Sequence, residues 1–346
     1  VDAQNEFHRA REELPLMRLQ ILCIAVALLV LPAMSRAASC TAQGELLQQD
    51  RDALTAAGGR LSEALIQQDY PTLLDALLAA EKSEWAGIRD AVEDAAPVVK
   101  GGQVQLRNLY LLDATNLAEP ADTQFFCSNK DGSLTVTIGM HALPPGRYGV
   151  VLADAAGAPL GGQWVLMLAW DGGGTGVAPG WKLAGLSVRQ GTFDGHDGVW
   201  YWARARDLAK ADQPWSAWYS YDAARYLQVP VDFISSTNLE KLADEQTRIK
   251  GSPQNAFPYT LNDGPRTWKI DAVRLDASLR EPDLGVTYES TGVTDPAAVR
   301  TEATAVMSAL MKAQPGLREN FHGLWAYSVK DGKRTPVMEL PMGQIP

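Results

Sequence analysis

At Gly101-Gly102 the spacing of apolar residues along this chain changes from helical to alternating, and that change restricts the fold more than any other feature. Before it, Leu46, Leu47, Ala53, Leu54 and Ala57 recur at helical intervals up to Gly58-Gly59, which reads as a stop. Leu61, Leu65 and Ile66 then form the stripe of a second helix. Pro71 suits the first turn of a third, which carries Leu73, Leu74, Leu77 and Leu78. A fourth runs from Lys82 to Glu93, with Trp85, Ile88 and Val92 on one face, and Pro97 ends helical structure. After the glycine pair, Val104, Leu106, Leu109 and Leu111 alternate, and 134–140, 147–153, 163–169 and 181–189 read as further strands. Asp131-Gly132, Gly161-Gly162 and Asp171-Gly172 supply the turns between them. Helices followed by antiparallel strands predict an α+β unit over 38–190, its helices packed on one face of a curved antiparallel sheet.

The rest of the 346 residues divides into two shorter stretches. Over 191–251, Asp197-Gly198 opens a helix that ends near Lys210, and Pro214 opens a second that reaches Leu227. These two form a helical hairpin closed by Pro230, and a further helix covers Asn238 to Ile249. Over 252–346, "GSPQNAFPYTLNDGP" has the composition of a linker. Strands at 267–279 and 284–290, a helix capped by Asp295 and Pro296, and a hairpin at 324–340 then make a small ββαββ unit.

Two resemblances attach to particular residues. The helices containing "GRLSEALIQQDYPTLLDALL", followed by strands ending in "WKLAGLSV", resemble the nuclear-transport-factor-2-like (cystatin-like) roll over about 45–190. That resemblance implies a sheet curved around a concave pocket. It brings no catalytic motif, and the superfamily spans enzymes, ligand-binding modules and structural modules, so it implies no one activity. Tyr201, Ala205, Ala217, Tyr221, Ala224 and Pro230 resemble a single tetratricopeptide repeat over about 198–230. It implies that the tyrosines and alanines pack between the two helices. Arg204, Leu208 and the late Pro230 depart from that pattern, and one repeat without neighbours must bury its outer faces on something else.

The N-terminus bears on destination. Met17-Arg18 precedes the uncharged run 19–35, "LQILCIAVALLVLPAMS", and Ser35-Arg36-Ala37 places small residues where a signal peptidase reads them. We expect a signal peptide cleaved after Ala37, behind an upstream extension, and hence a periplasmic or secreted protein. The alternative is a membrane anchor at 19–35, shorter than a comfortable span. Removing 1–37 leaves two cysteines, Cys40 and Cys127, and an even pair in an exported chain predicts a disulfide. The net charge of −10 excludes a general nucleic-acid binder.

Chemistry-bearing motifs are few. His141, His196 and His322 are in no ligand spacing, and the sequence contains no HExxH, CxxC, GxSxG or GxxxxGK, so it points to no metal and no cofactor. "DGHDG" at 194–198 reads as a turn followed by a helix cap. The acid pairs Asp271/Asp276 and Glu281/Asp283 read as solvated groups on strands and turns. The aromatic residues of "HDGVWYWARARDLAKADQPWSAWYSYDAARYL" are the one candidate binding feature. With Tyr201 and Tyr221 turned inward, Trp200, Trp202, Trp215, Trp218 and Tyr219 are left on other faces. Either neighbouring units cover them, or they line a groove for a peptide, glycan or apolar ligand. The expectation is an exported, non-enzymatic cell-envelope or secreted protein that binds a protein partner or small ligand. The alternative is an extracytoplasmic enzyme with an acid/base pocket in the roll-like unit.

Overall fold

The structure is a computed structural model that describes residues 38–174 and 178–346. The expected signal segment and its cleavage site lie outside the described residues, and among those described no helix is long and apolar enough to cross a membrane.

β1 (Ser39–Ala42), β2 (Gln103–Asp113), β5 (Arg147–Ala156), β6 (Gln163–Asp171) and β7 (Gly180–Arg189) form an antiparallel sheet in the order β1-β2-β5-β6-β7. Successive side chains point to opposite faces of it. Leu109, Leu111, Val151, Trp164, Leu166 and Leu168 pack under three helices, α1 (Gln48–Gln67), α2 (Tyr70–Ala76) and α3 (Trp85–Val99). Tyr110, Leu112, Val150, Val165 and Met167 face the other way. The helices thus cover one face of the sheet, as expected, and the second face is covered as well. A second, three-stranded sheet closes the other face with Phe125, Val136, Ile138 and Ile234. It consists of β3 (Ala121–Ser128), β4 (Thr135–Leu143) and β10 (Ile234–Ser236). Burial on both faces is why Trp164 to Ala169 is unbroken apolar sequence with no polar alternation.

Two helix boundaries differ from the sequence reading. α1 runs through Gly58-Gly59, because the pair serves packing: a Cβ on Gly58 would come 2.8 Å from Val151 Cγ1 of β5, whereas Gly59 has open space. α3 contains Pro97 and continues to Val99, which is buried with Val98 against the sheet. Ser62, fully buried on α1, accepts a 2.9 Å hydrogen bond from the Trp164 indole. Cys40 on β1 and Cys127 on β3 lie at disulfide distance, 1.97 Å between sulfurs, and join the two sheets.

The hairpin helices are α4 (Gly198–Lys210) and α5 (Pro214–Gln228), followed by α6 (Thr237–Thr247). Tyr201, Ala205, Leu208, Ala217, Tyr221 and Ala224 are all buried between or beside them. The opposite stripe of α5 packs into the C-terminal unit, where Trp215 and Tyr219 join Trp268, Ile270, Val273 and Phe321 in one core. Burying two such aromatics contributes on the order of 2–3 kcal/mol each.

The C-terminal unit contains the expected ββαββ elements: β12 (Arg266–Asp276), β13 (Asp283–Glu289), α7 (Pro296–Ala313), β14 (Gly323–Lys330) and β15 (Lys333–Pro341). Asp295 caps α7 by accepting from Ala298 N at 2.9 Å. An additional edge strand, β11 (Tyr259–Asp263), lies within the stretch that composition assigns to a linker, and it pairs antiparallel with β12. The sheet order is β11-β12-β13-β14-β15, and β13 and β14 run parallel. Pro336 is accommodated on the edge strand β15, beside a register shift.

Candidate functional site

Two short strands, β8 (Thr192–Phe193) and β9 (His196–Asp197), make a tight hairpin ahead of α4. Its turn holds Asp194 and Gly195 at positive φ, 50° and 75°, and Asp197 then caps α4 by accepting from Trp200 N at 2.8 Å. The turn-and-cap reading of "DGHDG" therefore holds. The same turn also delivers Asp194 and His196 to a cleft of about 360 Å³. α4 contributes Trp200, Tyr201 and Arg204 to this cleft, and the far wall is Pro282, the end of α8 (Gly316–Asn320) and His322. Arg204 Nη2 donates to Asn320 Oδ1 at 2.7 Å across one end. The cleft is thus built where the helical hairpin meets the C-terminal sheet.

Three side chains converge behind it. β13 and β14 run parallel and β15 antiparallel to them, so the starts of the first two lie beside the end of the third. Leu284 pairs with Leu324, and Trp325 with Glu339. The backbone N–H of His322 donates to Pro282 O at 3.2 Å, which brings His322 level with Asp283. As a result Asp283, His322 and Glu339 offer ligand atoms that all lie within 4.8 Å of one another. Their separations in sequence, 39 residues and then 17, carry no motif. The sequence signal lies in the two acids, Glu281 and Asp283, ahead of the apolar run in "EPDLGVTY" and in the histidine at the head of "HGLWAY".

The expectation that solvation accounts for Glu281 and Asp283 is overturned for Asp283, which is 0% exposed. Its Oδ1 is hydrogen-bonded to His322 Nδ1 at 2.9 Å, while its Oδ2 is buried with no hydrogen-bond partner. Glu339 Oε1 and Glu281 Oε2 are buried and unpartnered in the same way. Leaving such atoms unsatisfied costs roughly 1–3 kcal/mol each, and more when they are charged. The protonation equilibria respond. The hydrogen bond to Asp283 holds the His322 imidazole above its ordinary range, against the opposing effect of its partial burial. Burial pushes the Glu281 carboxyl up, and Asp194 adds to the push. Glu339 is raised by burial and then by Asp283. Gly323 keeps the space open, since a Cβ there would lie 2.5 Å from Glu339 Oε1 and 2.8 Å from Asp283 Oδ1. Several carboxylates and one imidazole thus share too few protons and donors, an arrangement suited to a cation or to proton transfer.

The five aromatic candidates do not share one surface. Trp215 and Tyr219 are buried in the C-terminal core, where the Tyr219 hydroxyl donates to Val273 O at 3.2 Å, and Trp218 packs half-buried against that core. Trp202 is half-buried, with Arg206 stacked 4.5 Å over its ring and its indole N–H donating to Glu245 at 2.8 Å. Trp200 alone reaches the cleft; it is 41% exposed and stacks on His196 with ring centroids 3.9 Å apart. No family model matches the chain, and neither a curated protein nor a solved structure matches it.

Proposed function

We propose that this chain is exported and acts by binding, its ligand a small organic cation held in the cleft between α4 and the C-terminal sheet. The observation that carries the reading is the cleft's lining. Asp194 and Glu319, with Glu281 beside Asp194, outnumber the single guanidinium of Arg204 and share the cleft with the imidazoles of His196 and His322, while Trp200, 41% exposed and stacked on His196, supplies the aromatic wall. An aromatic face next to carboxylates is how proteins recognise ammonium and guanidinium groups. The segment 17–37 supports export, as does the cysteine pair, since disulfides persist in oxidising compartments.

A second reading, an extracytoplasmic enzyme, draws on the Asp283–His322 hydrogen bond. A histidine oriented by a buried carboxylate is what a general base requires. This reading puts acid/base chemistry in the cleft and not within the roll-like unit, where both faces of the sheet are covered.

The test is fluorescence titration of the full chain with choline and with spermidine, using acetate as the anionic control. Saturable change with the cations, lost in D194N and W200A, is the expected result. Saturation by acetate alone, or by none of the three, overturns the reading. Mass spectrometry of the exported protein is expected to find Ala38 at its N-terminus, and an N-terminus elsewhere overturns the cleavage site.

A further inference from the structure

We propose that Asp283, His322 and Glu339 form a binding site for a divalent transition-metal ion, open on the side where His322 borders the cleft. The inference shares His322 with the binding reading above and depends on nothing else in it.

Four observations converge. The three ligand atoms already lie within 4.8 Å of one another. Around an ion with bonds of about 2.1 Å, ligand atoms sit roughly 3.0–3.4 Å apart, and His322 Nδ1 and Asp283 Oδ1 are already 2.9 Å apart. An ion can therefore replace the proton between them, and Glu339 closes in by a side-chain rotation. Asp283 is the fixed member: it is fully buried, and its Oδ2 has no hydrogen-bond partner in the protein. Glu339 Oε1 is a second buried oxygen in the same condition.

The backbone supports the arrangement independently. Gly323 sits between the two carboxylates, and any side chain there would occupy the space they flank. The donors come from the ends of three neighbouring strands whose register is fixed by the sheet. Such a scaffold holds ligands more rigidly than surface loops do. His322 is 43% exposed along its side chain, so an ion has a route in from the cleft and can keep one or more positions for water or ligand.

The donor set selects the metal class. One imidazole nitrogen with two carboxylates favours Zn²⁺, Co²⁺, Mn²⁺ or Fe²⁺, whereas Ca²⁺ and Mg²⁺ prefer all-oxygen shells. With three protein ligands and an open position the site resembles catalytic zinc sites more than the closed four-ligand structural ones.

The test uses the full chain, freed of metal with a chelator and dialysed against Zn²⁺ or Co²⁺ at controlled free concentration. We expect about one ion per chain, a visible cobalt absorption band in the region given by mixed N/O coordination, and no displacement by millimolar Ca²⁺. H322Q and E339Q alter partly exposed side chains, so both should keep the parent's circular dichroism; each removes a ligand and is expected to weaken binding by at least the roughly 10–100-fold that loss of an outer-shell partner costs. D283N removes the buried ligand and is expected to weaken it further. Binding of well under one ion per chain, a site that prefers Ca²⁺, or folded H322Q and E339Q proteins that bind as the parent does each overturns the proposal. W200A and D194N separate the two readings. Metal binding that survives in both while choline response is lost supports the metal site, and metal binding lost in both places the ion elsewhere and refutes it.

Discussion

Glu245 on α6 ties the two helices of the aromatic hairpin to a third, and its replacement by Gln gives a measurable test of how that packing is held. Its carboxylate accepts from Trp202 Nε1 at 2.8 Å, from Arg206 Nε and Nη2 at 2.7 and 2.9 Å, and from the Tyr221 hydroxyl at 3.2 Å. Arg206 is the main cause of the fall of this carboxyl from its ordinary 4.5 to about 2, with the Trp202 and Tyr221 hydrogen bonds adding to it. At about 1.4 kcal/mol per tenfold change, that fall corresponds to a ceiling of ~3 kcal/mol. The Glu245 side chain is 25% exposed and that of Arg206 41%; solvent screening at such exposures brings the contribution to about 2 kcal/mol.

The sign follows from the depressed value. The stabilisation is fully present above the unfolded value near 4.5 and is lost as pH falls through about 2. E245Q is therefore expected to be less stable than the parent by about 2 kcal/mol at pH 7, with the gap closing between pH 4.5 and 2. Urea unfolding followed by circular dichroism at several pH values measures the gap, and hydrogen exchange over 237–247 locates it. A gap that is absent at pH 7, or one that persists unchanged at pH 2, refutes the reasoning.

Three further substitutions probe the first sandwich. G58A is expected to destabilise by ~1 kcal/mol, because crowding against the buried Val151 outweighs the helix-propensity gain, whereas G59A, facing open space, is expected to stabilise by about 0.5–1 kcal/mol. Thermal melts of the pair check the contrast, and equal signs contradict the close approach of α1 to β5. S62A leaves the Trp164 indole N–H buried without its acceptor and is expected to cost about 1–3 kcal/mol. A double-mutant cycle with W164F measures the coupling; additive effects rule the hydrogen bond out as a contributor.

Features that depend on neighbouring residues in the chain were legible in the sequence. The switch of period after Gly101-Gly102, the Asp197 and Asp295 caps and the inward stripe of Tyr201, Ala205, Tyr221 and Ala224 all sit where spacing places them. Features that depend on which segments pair were not legible. Nothing local in "TQFFCS" says that it lies in a second sheet across the core, and Gly58-Gly59 reads as a stop when only its neighbours are considered. The Asp283–His322–Glu339 cluster is the extreme case. It exists because β13 and β14 are parallel and in a particular register, a property of the whole sheet that no short window contains. The cysteine pair was legible because covalent chemistry, unlike packing, needs only composition and compartment to suggest it.

The strand β10 has a consequence for how the chain is made. It pairs with β4 from beyond the whole helical hairpin, through Ile234–Ile138, Ser235–Thr137 and Ser236–Val136. The first sandwich therefore lacks one of its strands until synthesis has passed Ser236, 47 residues after the last strand of the larger sheet ends at Arg189. At roughly 5–20 residues per second that is a delay of about 2–10 s during which Val136 and Ile138 remain uncovered along one edge. A chain cut after residue 190 holds the larger sheet but stays permanently in that unfinished state, and its open edge on β4 offers a docking strip to any extended segment, including one from another copy. The hairpin is thus an excursion from the sandwich that must return before the sandwich closes.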